Sequence, residues 1–298
     1  MNLSQRLDDP RPLLLDGATG TELNRRGVNT DLPLWSARAL VEAPEVLRAI
    51  HADYARAGAE ILTANTFRTH RRSLAEGGLG HRAAELTRLA VETARAGAED
   101  AGGLLRFVAG SLAPLEDCYS PELVPPQPEV EAEHAEMAAH LAAAGADLIL
   151  VETMNTIREA EAATRAALTT GLPVLTSFVC RTDHKLFSGE SVTEAVAAIA
   201  PLGVAGLLVN CTPSTTIRMP FAELRAAVQS QARPPAITGL YANIGHTDDI
   251  TGWTNTADVS PLAYAQLAAG WLAQGARLIG GCCGTTPAHI AALRGILS

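Results

Sequence analysis

Cys282 and Cys283 stand side by side in "GGCCGTTP", residues 280–287, near the end of a 298-residue chain that holds five cysteines in all. Adjacent cysteines rarely bond to each other, because the small ring forces the peptide between them away from disulfide geometry. They need another partner: a metal, a redox partner, or only packing neighbours, since a free thiol also behaves as a small hydrophobe. The C-x-x-C spacing of redox pairs and zinc knuckles does not occur here. A third cysteine, Cys211, follows an asparagine in "LVNCTP" (208–213). Three thiolates with an open fourth position make a zinc centre of the catalytic kind, whereas structural zinc takes four protein ligands. A sulfur-rich site favours a thiol over water as the exchangeable ligand, and zinc lowers that thiol's pKa into the neutral range. The chemistry this suggests is attack by sulfur on a carbon electrophile. Cys118 and Cys180 read as incidental thiols. Among the eight histidines, His51, His134 and His140 fall in helical stretches as surface or supporting residues, while His70, His184 and His246 lie in loops within reach of such a site.

Convergence of Cys211 with the pair requires a scaffold, and the chain has one rhythm throughout. Short apolar runs alternate with alanine-rich helical stretches, many of which end in glycine. Strands are expected at 12–16, 60–65, 106–111, 147–152, 173–179, 205–211, 236–243 and 277–283. Helices are expected at 44–58, 131–145, 157–171, 191–203 and 261–275, and a last one after Thr286 as N-cap and Pro287 in the first turn. Strand–helix units repeated eight times without a break in composition predict a (β/α)8 TIM barrel, a single domain over residues 1–298. Such barrels work at the C-terminal ends of their strands. Those ends carry Asp16, Asn65, Ser111, Glu152, Cys180, Cys211, Asn243 and the Cys282–Cys283 pair, so all three cysteines can meet across one side of the mouth. Residues 112–131 are too proline-rich for a helix and are expected to form a loop over that mouth.

Composition narrows the partners. A net charge of −9 without a basic cluster argues against nucleic acid or an anionic membrane, and favours small-molecule substrates. The opening "MNLSQRLDDPRP" places aspartates where a signal peptide would be apolar, and no run reaches the roughly 18 apolar residues of a membrane span. A cytoplasmic protein is expected; the oligomeric state stays open, a homo-oligomer included.

"LLLDGATGTEL" (13–23), "LVETMN" (150–155), "LVNCTP" (208–213) and "IGGCCGTTPAHI" (279–290) together resemble the homocysteine S-methyltransferase family. The resemblance spans nearly the whole chain and implies a (β/α)8 barrel whose zinc ligands are Cys211, Cys282 and Cys283. It further implies that zinc binds the thiolate of homocysteine, which takes a methyl group from a cationic or cobalt-bound donor to give methionine. Glu152 matches the family's partner for the substrate ammonium, and Asp16 and Gly17 match the opening motif that holds homocysteine's polar end. Asn210 and Asn243 are expected at the mouth, binding substrate or supporting the metal ligands. "LPLWSARAL" (32–40) and "SFVCRTD" (177–183) resemble the branch that uses S-methylmethionine or S-adenosylmethionine, whereas "ANTFRTH" (64–70) is closer to cobalamin-dependent methionine synthases. Trp35, Phe67, Tyr119, Tyr241 and Trp253 are candidates for holding a cationic donor, betaine included. A selenol or another thiol could replace homocysteine without changing the chemistry. Two other readings remain: a zinc hydrolase with Glu152 as general base, and a non-catalytic barrel that binds thiols or stores zinc.

Overall fold

Alternating apolar residues in short runs make strands with one face turned inward and one outward. The computed structural model describes residues 2–103, 106–248, 252–254 and 259–297, with the backbone alone for 246–248 and 252–254. Strands β1 (Leu13–Leu14), β2 (Ile61–Ala64), β3 (Phe107–Leu112), β4 (Leu148–Met154), β5 (Val174–Val179), β6 (Gly206–Pro213), β7 (Ile237–Asn243) and β8 (Leu278–Gly281) form one 8-stranded sheet. All its pairings are parallel and follow chain order, β8 pairs with β1, and a parallel bridge from Leu15 to Ile61 joins β1 to β2. The sheet is therefore a nearly closed ring, the expected (β/α)8 barrel.

The barrel has two apolar layers. Leu13, Ile61, Phe107, Leu148, Leu175, Leu208, Ile237 and Leu278 fill the interior from every strand. Their alternate neighbours, including Leu14, Leu62, Ile149, Leu207, Leu240 and Ile279, pack against the surrounding helices. Those helices are α1 (Pro44–Arg56), α2 (Ala83–Ala101), α3 (Gln127–Ala143), α4 (Ile157–Leu168), α5 (Val192–Ile199), α6 (Arg218–Gln229), α7 (Pro261–Ala273) and α8 (Pro287–Ile296). Caps set several of their starts: the side chains of Thr156, Ser191 and Ser260 accept from the first-turn amides of α4, α5 and α7. Thr286 precedes Pro287 at the start of α8, as expected. A two-stranded antiparallel hairpin, His246–Asp248 with Gly252–Thr254, follows β7.

One sequence expectation needs correction. Helix α3 starts at Gln127, inside the segment read as loop, and holds Pro128 in its first turn. Proline is tolerated there because the first-turn amides have no intrahelical acceptor. The loop over the mouth is therefore shorter, and a single 3-10 turn at Pro121–Leu123 interrupts it. Leu115 N–H donates to buried Glu159 of α4 at 2.9 Å and the Asn155 amide donates to Asp117 O at 3.3 Å, which ties the loop to the strand 4–helix 4 unit.

Helices α1 and α2 pack closely because Gly97 has no side chain. A Cβ there would stand 2.6 Å from His51 Cβ and 2.8 Å from the Arg48 carbonyl oxygen. Gly97→Ala would gain about 1 kcal/mol of helix propensity, but the clash is with backbone and costs about 1–3 kcal/mol. The expected result is a lower urea midpoint with an unchanged slope; a raised midpoint would show that the two helices separate freely.

Candidate functional site

Regular alternation along β6 sends Leu207 and Val209 outward to the helices, and Cys211 would follow them. It does not, because the β6–β7 register shifts between Asn210 and Pro213 and Cys211 takes a left-handed φ of +49°. Such a bulge re-aims a side chain, here into the barrel mouth. Strand β4 does the same one position beyond Glu152: its register with β5 shifts between Val151 and Met154, and Thr153 has φ +61°. Asn210 braces both bulges. Its Oδ1 accepts from Thr153 N–H at 3.0 Å and Ser177 Oγ at 2.7 Å, and its Nδ2 donates to Thr153 Oγ1 at 2.8 Å. Asn243 Nδ2 donates to Cys211 O at 3.0 Å.

A turn at the end of β8 solves the problem of two neighbours pointing one way. Cys282 faces inward, packed against the interior core. Thr285 N–H donates to Cys282 O at 3.1 Å, and Gly284 lies at φ +82°. That is a β-turn with glycine at the position requiring positive φ, and it folds Cys283 back beside Cys282. Ile244 N–H donates to Cys283 O at 3.1 Å, tying the turn to the end of β7.

The outcome is a cluster in which the Sγ atoms of Cys211, Cys282 and Cys283 lie within 4.8 Å of one another, with Cys211 and Cys283 3.9 Å apart. Sulfurs held at ~2.3 Å around tetrahedral zinc are about 3.8 Å apart, so the cluster fits that ion with little movement. Tyr119 on the mouth loop approaches Cys211 Sγ at 3.2 Å through its hydroxyl, and its ring packs edge-on to Phe187 at 5.2 Å. Hydrogen bonds from Cys282, Cys283 and Tyr119 push the Cys211 thiol well down, while sharing with Cys211 pushes the other two up.

Two buried carboxyls face the same space. Burial raises Glu152 to about 7, against the hydrogen bonds it accepts from Ser111 Oγ and, at 3.0 Å, from Tyr241 OH. Burial also raises Asp16 to about 8, although it accepts from Thr63 N–H at 2.8 Å and Thr63 Oγ1 at 2.9 Å. Both carboxyls would ionise fully beside a cation. They line a cavity of about 710 Å3 together with Gly17, Thr153, the three cysteines, Tyr241, Trp35, Phe67, Arg68 and Tyr119. Trp35 and Phe67 meet edge-on at 5.5 Å.

The sequence-predicted residues divide accordingly. Cys211, Cys282, Cys283, Asp16, Gly17 and Glu152 share the cavity. Asn210 and Asn243 do not line it; both are fully buried, Asn243 holding the Cys211 carbonyl and Asn210 holding Thr153 and Ser177. Cys118, read as incidental, lines the cavity because the mouth loop folds down onto it. Cys180 faces the helix layer. His51 and His134 are buried rather than surface residues, and His70 caps the helix Arg71–Glu76. The side chains of His246 and Trp253 lie outside the described residues. Thr153 and Arg68 were missed; a threonine at positive φ leaves no mark in sequence, whereas Arg68 was readable as a charge after an aromatic at a strand end.

Comparison with known proteins agrees with this geometry. A family model described as homocysteine S-methyltransferase matches residues 13–297. The homocysteine S-methyltransferase of Escherichia coli is 35% identical, over 97% of this chain and 96% of its own length. The homocysteine S-methyltransferase YbgG of Bacillus subtilis is 30% identical, over 97% and 96%. The metallated form of the homocysteine methyltransferase MmuM from Escherichia coli superposes with a TM-score of 0.84 at 32% identity, covering 99% of both chains.

Asn243→Ala would free the Cys211 carbonyl and loosen the bulge. Loss of a group that orients a ligand typically costs about 10–100-fold in metal affinity, so zinc should pass more readily to a competing chelator while circular dichroism stays unchanged. Undiminished affinity would mean the strand holds Cys211 unaided.

Proposed function

The chain belongs to the homocysteine S-methyltransferase family and is a methyltransferase; on that premise we propose that it moves a methyl group from a sulfonium amino acid, S-methylmethionine or S-adenosylmethionine, to the thiol of homocysteine, giving methionine. One juxtaposition supports this: a three-sulfur cluster and a pair of buried carboxyls open into the same cavity. Cys211, Cys282 and Cys283 would hold Zn2+, which when bound supplies the Lewis acidity that keeps a substrate thiol deprotonated at neutral pH. Residues 1–298 act as one homocysteine-binding barrel in this reading.

Glu152 and Asp16 would receive the homocysteine ammonium, each kept in place by its own donors, Ser111 and Tyr241 for one and Thr63 for the other. That anchors the amino acid at one end and leaves its sulfur toward the cysteines. The mouth loop contributes Asp117, Cys118 and Tyr119 to the cavity wall. The homocysteine sulfur then attacks the methyl carbon. The carbon–sulfur bond of the donor breaks with its electron pair on the donor sulfur, which leaves as a neutral thioether. The aromatic faces of Trp35 and Phe67 suit a sulfonium that loses its charge during the step. A hydrolytic water fits less well, because an all-sulfur donor set is not the histidine and carboxylate set of zinc hydrolases. The charge of −9 supports small-molecule partners over nucleic acid; among the described residues no helix is long and apolar enough to cross a membrane.

Cys211→Ser and Cys282→Ser are expected to lose zinc and methionine formation while keeping the wild-type circular dichroism spectrum, because serine nearly matches cysteine in size and the ligands sit where the core meets the mouth. Unfolding would instead make the metal structural.

Glu152→Gln should raise the homocysteine KM about tenfold or more, the loss expected for a hydrogen bond to a charged group, with zinc content unchanged. An unaltered KM would remove Glu152 from substrate binding.

A further inference from the structure

Arg68 is the one basic residue among the described residues lining the cavity, facing a wall that otherwise carries Asp16, Asp117 and Glu152. Its neighbours in sequence are spent elsewhere: Arg71 pairs with Glu136, and Arg72 with Glu116, Glu129 and Glu133. Among the described residues Arg68 forms no ion pair; Nη1 makes one long contact to Ser73 Oγ at 3.3 Å, and its buried Nε has no partner. The guanidinium lies 5.9 Å from the Phe67 ring centre, and Phe67 in turn meets Trp35 edge-on. A planar cation with free donors therefore continues directly from the aromatic wall.

The place of Arg68 also separates it from the homocysteine end. Its charge is felt by Cys118, His70 and Glu116, the last of which is already paired with Arg72, whereas the charges coupled to Glu152 are those of Cys211 and Asp16. A guanidinium fork with unused donors matches a carboxylate. We propose that Arg68 is the carboxylate anchor of the methyl donor, selecting a sulfonium that carries a carboxylate and laying its cationic sulfur along the Phe67–Trp35 wall. The inference rests on the methyl-transfer reading above and adds the residue that holds the donor's carboxylate. Arg68 is a binding residue in this role and takes no part in bond making.

The test uses two donors that differ only in the carboxylate: S-methylmethionine and its decarboxylated analogue, (3-aminopropyl)dimethylsulfonium, the latter followed by turnover or by competitive inhibition. Arg68→Gln in the zinc-loaded protein should lower kcat/KM for S-methylmethionine about 10- to 100-fold. The decarboxylated sulfonium should change by less than about threefold, and the homocysteine KM and zinc content should hold. Arg68→Lys should recover part of the loss, since lysine keeps the charge but not the fork. Equal loss with both donors, or a raised homocysteine KM, would overturn the assignment. Wild-type protein that forms methionine only from a methyl carrier lacking a carboxylate would overturn it too, while sparing the homocysteine reading. Formation of methionine from no donor at all would remove the premise itself.

Discussion

The left-handed turn at Cys211 is the constraint on which the mouth depends. A non-glycine residue at φ +49° is disfavoured by about 1–2 kcal/mol, and the strand would otherwise send this thiol into the helix layer with Leu207 and Val209. Two buried asparagines hold the turn open, Asn243 from β7 through the Cys211 carbonyl and Asn210 from below through Thr153 and Ser177. The neighbouring strands are themselves fixed by parallel ladders whose registers shift only at these bulges. The barrel is thus stiff enough to keep one residue per bulge in a conformation it would not choose alone.

The same logic explains why adjacent cysteines can serve one site. In an extended strand, Cys282 and Cys283 would point to opposite faces. Ending β8 at Gly281 and turning through Gly284 removes that alternation, so both sulfurs reach Cys211. The glycine in the turn and the strain at Cys211 are two means to one end, and only the first is visible in the residue types.

Sequence therefore disclosed the site unevenly. Alternation with period two and helical runs between strands were enough to place Cys211 and the cysteine pair at strand ends, because barrel topology turns strand order into position. The ladder also placed Glu152 and Asp16 at the mouth. Side-chain direction was another matter: nothing in "LVNCTP" or "LVETMN" marks a bulge, so Asn210 looked like a mouth residue when it is a buried brace. Cys180 turned to the wall for lack of such a bulge, and Cys118 reached the cavity only because the mouth loop folds inward. Pro128 hid the start of α3, since a proline in the first turn and a proline in a loop look alike in sequence.

Charge accounts for how the cavity could distinguish reactants from products. The buried carboxyls of Glu152 and Asp16 make their part of the cavity receptive to cations. A homocysteine ammonium keeps its charge throughout the proposed transfer, so its contacts with the two carboxylates hold the substrate equally well before and during reaction. A sulfonium behaves differently, because its positive charge fades as the methyl group departs. A carboxylate placed against that sulfur would favour the donor over the transition state and slow the step. Aromatic faces hold a cation more gently; in the proposed transfer Trp35 and Phe67 would give that weaker hold, while the charges of Asp16, Glu152 and Arg68 would act on groups whose ionisation the reaction leaves alone.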